Sequence, residues 1–207
     1  MKEREIERLN KLKEYEKKLY DKGIKYIAGI DEAGRGPLAG PVVAGAVILP
    51  KGKRILYVND SKKLSEKKRD ELFDVIKEEA LSYGIGIVSP ERIDEINILQ
   101  ATYEAMRTAI HKLSVTPDIL LNDAVTIPMV DIKQVPIIKG DAKSQSIAAA
   151  SIVAKVTRDH LMEEYDKLYP EYGFAKHKGY GTAAHIKAIK EYGPCPIHRR
   201  TFIKNFI

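Results

Sequence analysis

The chain of 207 residues contains a single cysteine, Cys195, and no tryptophan. One cysteine excludes an internal disulfide. It also leaves a zinc site only Cys195, His177, His185 and His198 to draw on, without the paired Cys-x-x-Cys spacing of structural sites. No stretch approaches the roughly 20 uncharged apolar residues that span a bilayer. The N-terminus, Met1 to Tyr20, mixes Lys and Glu densely instead of following the charged-then-apolar order of a secretory signal, so a cytoplasmic location is expected. Repeats, low-complexity tracts and Ser/Gly linkers are also missing, which predicts one domain over 1–207. What is present suits a folded protein: 44% of residues are hydrophobic and 31% charged, enough apolar surface for a core and too much for a disordered chain.

The net charge of +6 is unevenly placed. From residue 167 onward there are eight basic residues (Lys167, Lys176, Lys178, Lys187, Lys190, Arg199, Arg200 and Lys204) against two acidic ones, and the first 166 residues sum to zero. A basic extension over about 167–207 fits a surface that follows phosphates, and equally a plain solubility segment.

Apolar periodicity predicts one helix over 1–22, with Ile6, Leu9, Leu12, Tyr15 and Leu19 on one face. Strands are expected at 25–30 and 41–49, joined by the glycine-rich stretch Gly34 to Gly40, and a short one at 54–58. A helix capped by Ser65 leads to a strand at 82–88. A second helix from Pro90, broken near Asn97, leads to strands at 119–122 and 134–138. Helices over 143–168 and from Thr182 to Glu191 complete an α/β pattern of mixed sheet and flanking helices.

The chemistry is concentrated in carboxylates at strand ends. Asp31 and Glu32 close an apolar strand, where charge is costly unless it meets a cation. Because strand side chains alternate, both reach one ion only if the backbone bends at the glycines that follow. Asp123 ends a second apolar strand and Asp141 follows a third. Each alone reads as a turn or cap residue, but three strand ends together could aim oxygen donors at one point. Hard oxygen ligands suit Mg²⁺ or Mn²⁺, and a two-metal site is suited to phosphodiester hydrolysis. Gly34-Arg35-Gly36 misses the dinucleotide and Walker spacings and reads as a bare turn that lets backbone approach a sugar or phosphate. In the stretch Tyr172 to Thr182, Tyr172 and Phe174 are expected in the core and Tyr180, between two glycines, at the surface, where it can stack on a sugar or base. A non-catalytic nucleic-acid-binding protein and a phosphotransferase are the rival readings.

Six segments, Ala28 to Ala44, Asn59 to Ser65, Gly140 to Ser144, Ala149 to Asp159, His177 to Thr182 and Pro196 to Arg199, resemble in collinear order the type 2 ribonucleases H, and bacterial ribonuclease HII in particular. The resemblance spans about residues 26–203. It implies a ribonuclease H-like fold, with a mixed five-stranded sheet flanked by helices and a helical C-terminal extension. It implies a monomeric endonuclease, with no membrane association, acting on RNA/DNA hybrids and on DNA duplexes containing ribonucleotides. By motif match Asp31, Glu32, Asp123 and Asp141 would hold two Mg²⁺ or Mn²⁺ ions, and Gly34, Arg35 and Gly36 would read the ribose 2′-hydroxyl. Tyr180 would stack at an RNA-to-DNA junction. Ser61, Lys62 and Lys143 match positions that contact phosphates, and Asp159 one that supports the site or its helix. One departure is Asn122-Asp123-Ala124 where the family usually carries Val-Asp-Gly.

Overall fold

The computed structural model describes residues 2–205 and 207; Met1, the first residue of the expected N-terminal helix, and Phe206 lie outside the described residues. Two helices open the chain, α1 (Lys2–Leu12) and α2 (Glu14–Asp21), and not the single one predicted. The break falls at Lys13, whose backbone leaves the helical region at φ −103°, ψ 8° and whose ammonium donates to the Gly52 carbonyl at 2.9 Å. The apolar stripe is buried in part: Leu9 and Leu12 lie in the core, whereas Tyr15 is exposed.

Strands β1 (Ile27–Ala33) and β2 (Val42–Ile48) pair antiparallel. The expected strand at 54–58 is absent, because this segment satisfies its backbone through side chains. The Ile55 N–H donates to Gln145 Oε1, and the Val58 carbonyl accepts from the Arg8 guanidinium. Next come α3 (Glu66–Glu79, capped by Ser65), β3 (Ser82–Val88) and α4 (Pro90–His111). Asn97 interrupts α4 with a left-handed φ of 66° and restarts it by accepting from the Leu99 and Gln100 N–H groups. Strands β4 (Ile119–Asp123) and β5 (Lys133–Ile137) precede the long helix α5 (Gln145–Leu168). The C-terminal third holds α6 (Phe174–His177), α7 (Ala183–Tyr192, capped by Thr182) and an unanticipated turn of helix, α8 (Arg200–Ile203).

The sheet has the order β3-β2-β1-β4-β5, with β1 parallel to β4 and β4 parallel to β5. Alternation divides it into two faces. Ala28 and Ile30 of β1 and Ala44 and Ala46 of β2 pack on α4 residues Ala101, Ala105 and Ala109. Val47 packs with α5 residues Ala148, Ala149 and Ile152 on the other face, where Leu9 and Leu12 close the layer. The close approach of α5 explains Gly29, since a Cβ there would lie 2.0 Å from the Ser146 carbonyl carbon. Burying these two layers, at roughly 25 cal/mol per Å² of apolar surface, is what holds the strand ends of β1 and β4 side by side.

The C-terminal segment is latched to α4 by Asp94, which accepts from the Arg200 and Thr201 N–H groups and the Thr201 hydroxyl. Asp94→Ala removes this cap, and a stability loss of about 1 kcal/mol is expected. Amide exchange should accelerate at Arg200 and Thr201 first; unchanged protection there would show that the latch is not a determinant of the segment.

Candidate active site

The parallel register of β1 and β4 sets Ile30 beside Asn122, so the next residues, Asp31 and Asp123, emerge as neighbours on the α5 face. Past β5 the chain turns through Lys139, in the left-handed region at φ 56°, into the 3-10 turn Gly140–Ala142, and this brings Asp141 to the same point. The turn is tied back by the Gly140 N–H donating to Asp123 Oδ1 at 2.7 Å. Carboxylate oxygens of Asp31, Asp123 and Asp141 all lie within 4.8 Å of one another.

Glu32 is not in that group. Pairing of β1 with β2 continues through Glu32 and Ala33, so the backbone does not bend after Asp31, and alternation sends Glu32 to the side of Ala44. Its Oε1 lies 3.4 Å from Arg35 Nη1, and it borders the same cleft as Asp31.

Burial, with Glu32 and Asp123 close by, raises the Asp31 carboxyl well above its ordinary pKa. Burial also raises Glu32, against the partial relief of Arg35, and raises Asp141, with Asp60 and Asp123 adding to the effect. Burial alone would lower the Lys62 ammonium, but Asp60, Asp141, Asp31 and Asp123 outweigh it and raise its pKa. Acidic groups crowded in this way, with oxygen donors only, fit a divalent cation, which would relieve the repulsion that raises them. His177, His185, His198 and Cys195 also meet in space, but they are spent on hydrogen bonds, and among the described residues only the aspartate group has metal-holding geometry.

A cleft of about 190 Å³ runs from Asp31 past the Gly34–Gly36 turn, with Tyr180 on its far side. A Cβ on Gly36 would lie 3.7 Å from the Tyr180 ring. Tyr180 is exposed, whereas Tyr172 and Phe174 are buried in the core, as expected. The glycine-rich stretch leads into a strand and no helix N-terminus follows it, so it lacks the cradle for a nucleoside triphosphate.

A family profile described as Ribonuclease HII matches residues 28–205. The chain belongs to the ribonuclease HII family. It is 70% identical over 198 residues to the ribonuclease HII of Lachnoclostridium phytofermentans, covering 96% of this chain and 77% of the relative. It is 62% identical over 205 residues to that of Caldanaerobacter subterraneus subsp. tengcongensis, covering 99% and 85%. The crystal structure of ribonuclease H2 from Pyrococcus horikoshii superposes with a TM-score of 0.74 at 31% identity, over 87% of this chain and 96% of that one. Bst-RNase HIII, in a complex with Mn²⁺, shares the fold at TM-score 0.63 and 16% identity, over 82% of this chain and 63% of that one. The ribonuclease H-like mixed sheet is therefore the family's, and the chain is an endoribonuclease by membership.

Around this ribonuclease HII centre the remaining motif residues take different places. Ser61 is buried, its hydroxyl 2.9 Å from the Ser151 hydroxyl, and Ser151 lines the cleft with Asp31, whose raised pKa it partly relieves. Lys62 borders the cleft; Lys143 is exposed and lies in a neighbouring groove with Arg8, Lys11 and Lys63. Asp159 is buried and holds Lys155 at 2.6 Å and Arg69 at 3.4 Å.

Ser151, Lys155 and Arg158 border the cleft and were not singled out in the sequence, although their spacing of four and three residues along one helix face was a readable signal. Asp60, beside Asp141, was missed as well. Arg199 corrects the reading of the basic extension. Its side chain is fully buried, and its guanidinium donates to the carbonyls of Gly40, Arg35 and Gly34 at 2.9, 3.0 and 2.5 Å, where it cannot reach a phosphate.

Proposed function

We propose that this chain is a single catalytic domain, monomeric and cytoplasmic, that hydrolyses the RNA strand of RNA/DNA hybrids and nicks on the 5′ side of ribonucleotides embedded in duplex DNA, leaving a 3′-hydroxyl and a 5′-phosphate. This activity serves ribonucleotide removal and degradation of RNA primers. The observation that carries it is the convergence of Asp31, Asp123 and Asp141, from three separate stretches of chain, within 4.8 Å. A binding module gains nothing from such a cluster, which repels phosphate unless a cation neutralises it.

Asp31, Asp123 and Asp141, with Glu32 beside them, would hold two Mg²⁺ or Mn²⁺ ions. When bound, the ions supply an activated water nucleophile and neutralise charge at the leaving oxygen. The chain does the rest. Asp31 Oδ1 accepts from the Glu32 N–H and Asp123 Oδ1 from the Gly140 N–H, so these carboxylates are aimed before substrate arrives. The Gly34, Arg35 and Gly36 main chain reads the 2′-hydroxyl that separates RNA from DNA, and Tyr180 stacks on the deoxyribose across the cleft. Lys62 and Lys143 take flanking phosphates, and Ser61 supports the site through Ser151.

The deciding measurement uses a DNA duplex with one ribonucleotide, incubated with Mg²⁺, Mn²⁺ or EDTA, beside an all-DNA duplex. Nicking is expected only at the ribonucleotide and only with metal. Cleavage of the all-DNA control, or cleavage undiminished by EDTA, would overturn the proposal.

A further inference from the structure

Behind the cleft lies a set of buried polar side chains that touches none of its carboxylates. The backbone N–H of Cys195 donates to His198 Nδ1 at 3.0 Å, with the Cys195 thiol 3.1 Å from the same nitrogen. An N–H is an obligate donor, so Nδ1 of His198 is the acceptor and its proton sits on Nε2. That nitrogen is 3.0 Å from His185 Nε2, which must therefore accept, leaving the His185 proton on Nδ1. His185 Nδ1 is 2.9 Å from the carbonyl of Tyr180 and donates to it. Both imidazoles stay neutral, since burial lowers each pKa to about 4. One direction of donation thus runs from Cys195 through two histidines to the main chain of the residue whose ring faces the Gly34–Gly36 turn.

The same loop is held from a second side. Arg158 is buried without a carboxylate on its guanidinium and donates to the carbonyls of Pro41, Lys178 and Ala39 at 2.9 to 3.0 Å. Arg199 holds Gly34 and Arg35 in the same way. His177, stacked on His185 at 4.4 Å between centroids, accepts from the Gly179 N–H. Main-chain bonds add to these: the Gly179 carbonyl accepts from the Leu38 N–H at 2.8 Å, and the Tyr180 carbonyl, besides His185, accepts from the Thr182 N–H at 2.8 Å.

We propose that His185 is a positioning residue for ribonuclease action: in its Nδ1-protonated form it fixes the Tyr180 carbonyl, and so the Tyr180 ring, opposite the Gly34–Gly36 turn. The proposal rests on the reading above of Tyr180 and the turn as the two walls that grip an RNA-to-DNA junction. Any side chain that keeps a donor at the Nδ1 position should preserve the alignment, and one that moves the donor outward should not. Asn places its amide where Nδ1 stands; Gln places it near Nε2.

The test measures kcat/KM on a duplex with a single ribonucleotide for His185→Asn and His185→Gln, each alone and combined with Tyr180→Ala. His185→Gln is expected to lose about tenfold when Tyr180 is present and less than about twofold when it is Ala, because coupled residues give non-additive effects. His185→Asn is expected to stay within about threefold of the parent, as a side chain retaining the donor should. Equal losses from His185→Gln in both backgrounds would mean a general structural role and would overturn the proposal. Nitrogen-15 shifts of the imidazole in the unaltered protein give a readout independent of activity. A pyrrole-like Nδ1 and pyridine-like Nε2 at His185 are expected, and the opposite tautomer overturns the arrangement even if Gln variants fail to fold. Should the unaltered protein cleave nothing, the functional reading falls while the tautomer still decides the geometry.

Discussion

Asp31→Asn is expected to abolish cleavage, by on the order of 10³-fold or more, while the protein stays folded, since several kcal/mol of charge stabilisation depend on the ions this residue would hold. The carboxyl sits among Asp123, Asp141 and Glu32 with its pKa raised by burial and by these neighbours. In metal-free buffer the folded chain therefore binds its proton more tightly than the unfolded chain does. The stability this contributes is complete below the ordinary carboxylate range of about 4 and is lost as pH rises through the raised value. Asn carries no such proton, so the variant should gain stability over the parent as pH rises from about 4 toward neutrality. A divalent ion should reverse the order at neutral pH by stabilising only the parent. Thermal melts of both proteins at several pH values, with EDTA and with Mg²⁺, check this. Near-parental activity in the variant, or melts unaffected by metal in the parent, would remove the ground for a metal site at Asp31.

Gly29→Ala is the other substitution with a large expected effect. The new methyl would sit 2.0 Å from the Ser146 carbonyl carbon and 2.4 Å from the Ile147 nitrogen, so α5 has to move off the sheet. A loss of about 3 kcal/mol or more is expected, and with it a melting temperature lower by roughly 6 to 12 °C. Displacing α5 also moves Ser151 away from Asp31, so cleavage should fall even at temperatures where the variant is folded. Gly23→Ala is the control. Gly23 has φ +85° but no atom within 4 Å of a new Cβ, so it should cost only the strain of a left-handed backbone, about 1 kcal/mol. Equal losses at the two positions would show that helix contact is not what makes Gly29 costly to replace.

The sheet and its helices were legible in the sequence because Val, Ile and Ala fill β2, apolar residues recur with helical spacing over the N-terminal segment, and Ser65, Ser89 and Thr182 each cap a helix. Asp31, Asp123 and Asp141 were legible for a related reason: charge at the end of an apolar strand calls for a partner. Features that depend on a neighbour distant in sequence were not legible. The break at Lys13 and the extended segment at Ile55 are set by Gly52, Gln145 and Arg8, none of which leaves a periodic trace. Glu32 was expected beside Asp31 through a backbone bend. The pairing continues with Ala44, so no bend occurs, yet Glu32 still borders the cleft and is one of the charges that raise Asp31. Arg158 and Arg199 were hidden because burial of a guanidinium runs against its usual place, and only the cluster of free carbonyls at Gly34 to Pro41 makes it affordable.

Of the eight cations after residue 166, Arg199 faces inward, Lys178 is held by Glu163 and Glu66, and Lys167 by Glu164. Five remain without an ion-pair partner among the described residues. On the proposed reading of this terminus as a duplex-binding surface, each neutralised phosphate adds about 0.9 to the slope of log affinity against log ionic strength, so a slope smaller than the formal charge suggests is expected. On that reading, recognition is expected to lean correspondingly more on the shape of the cleft.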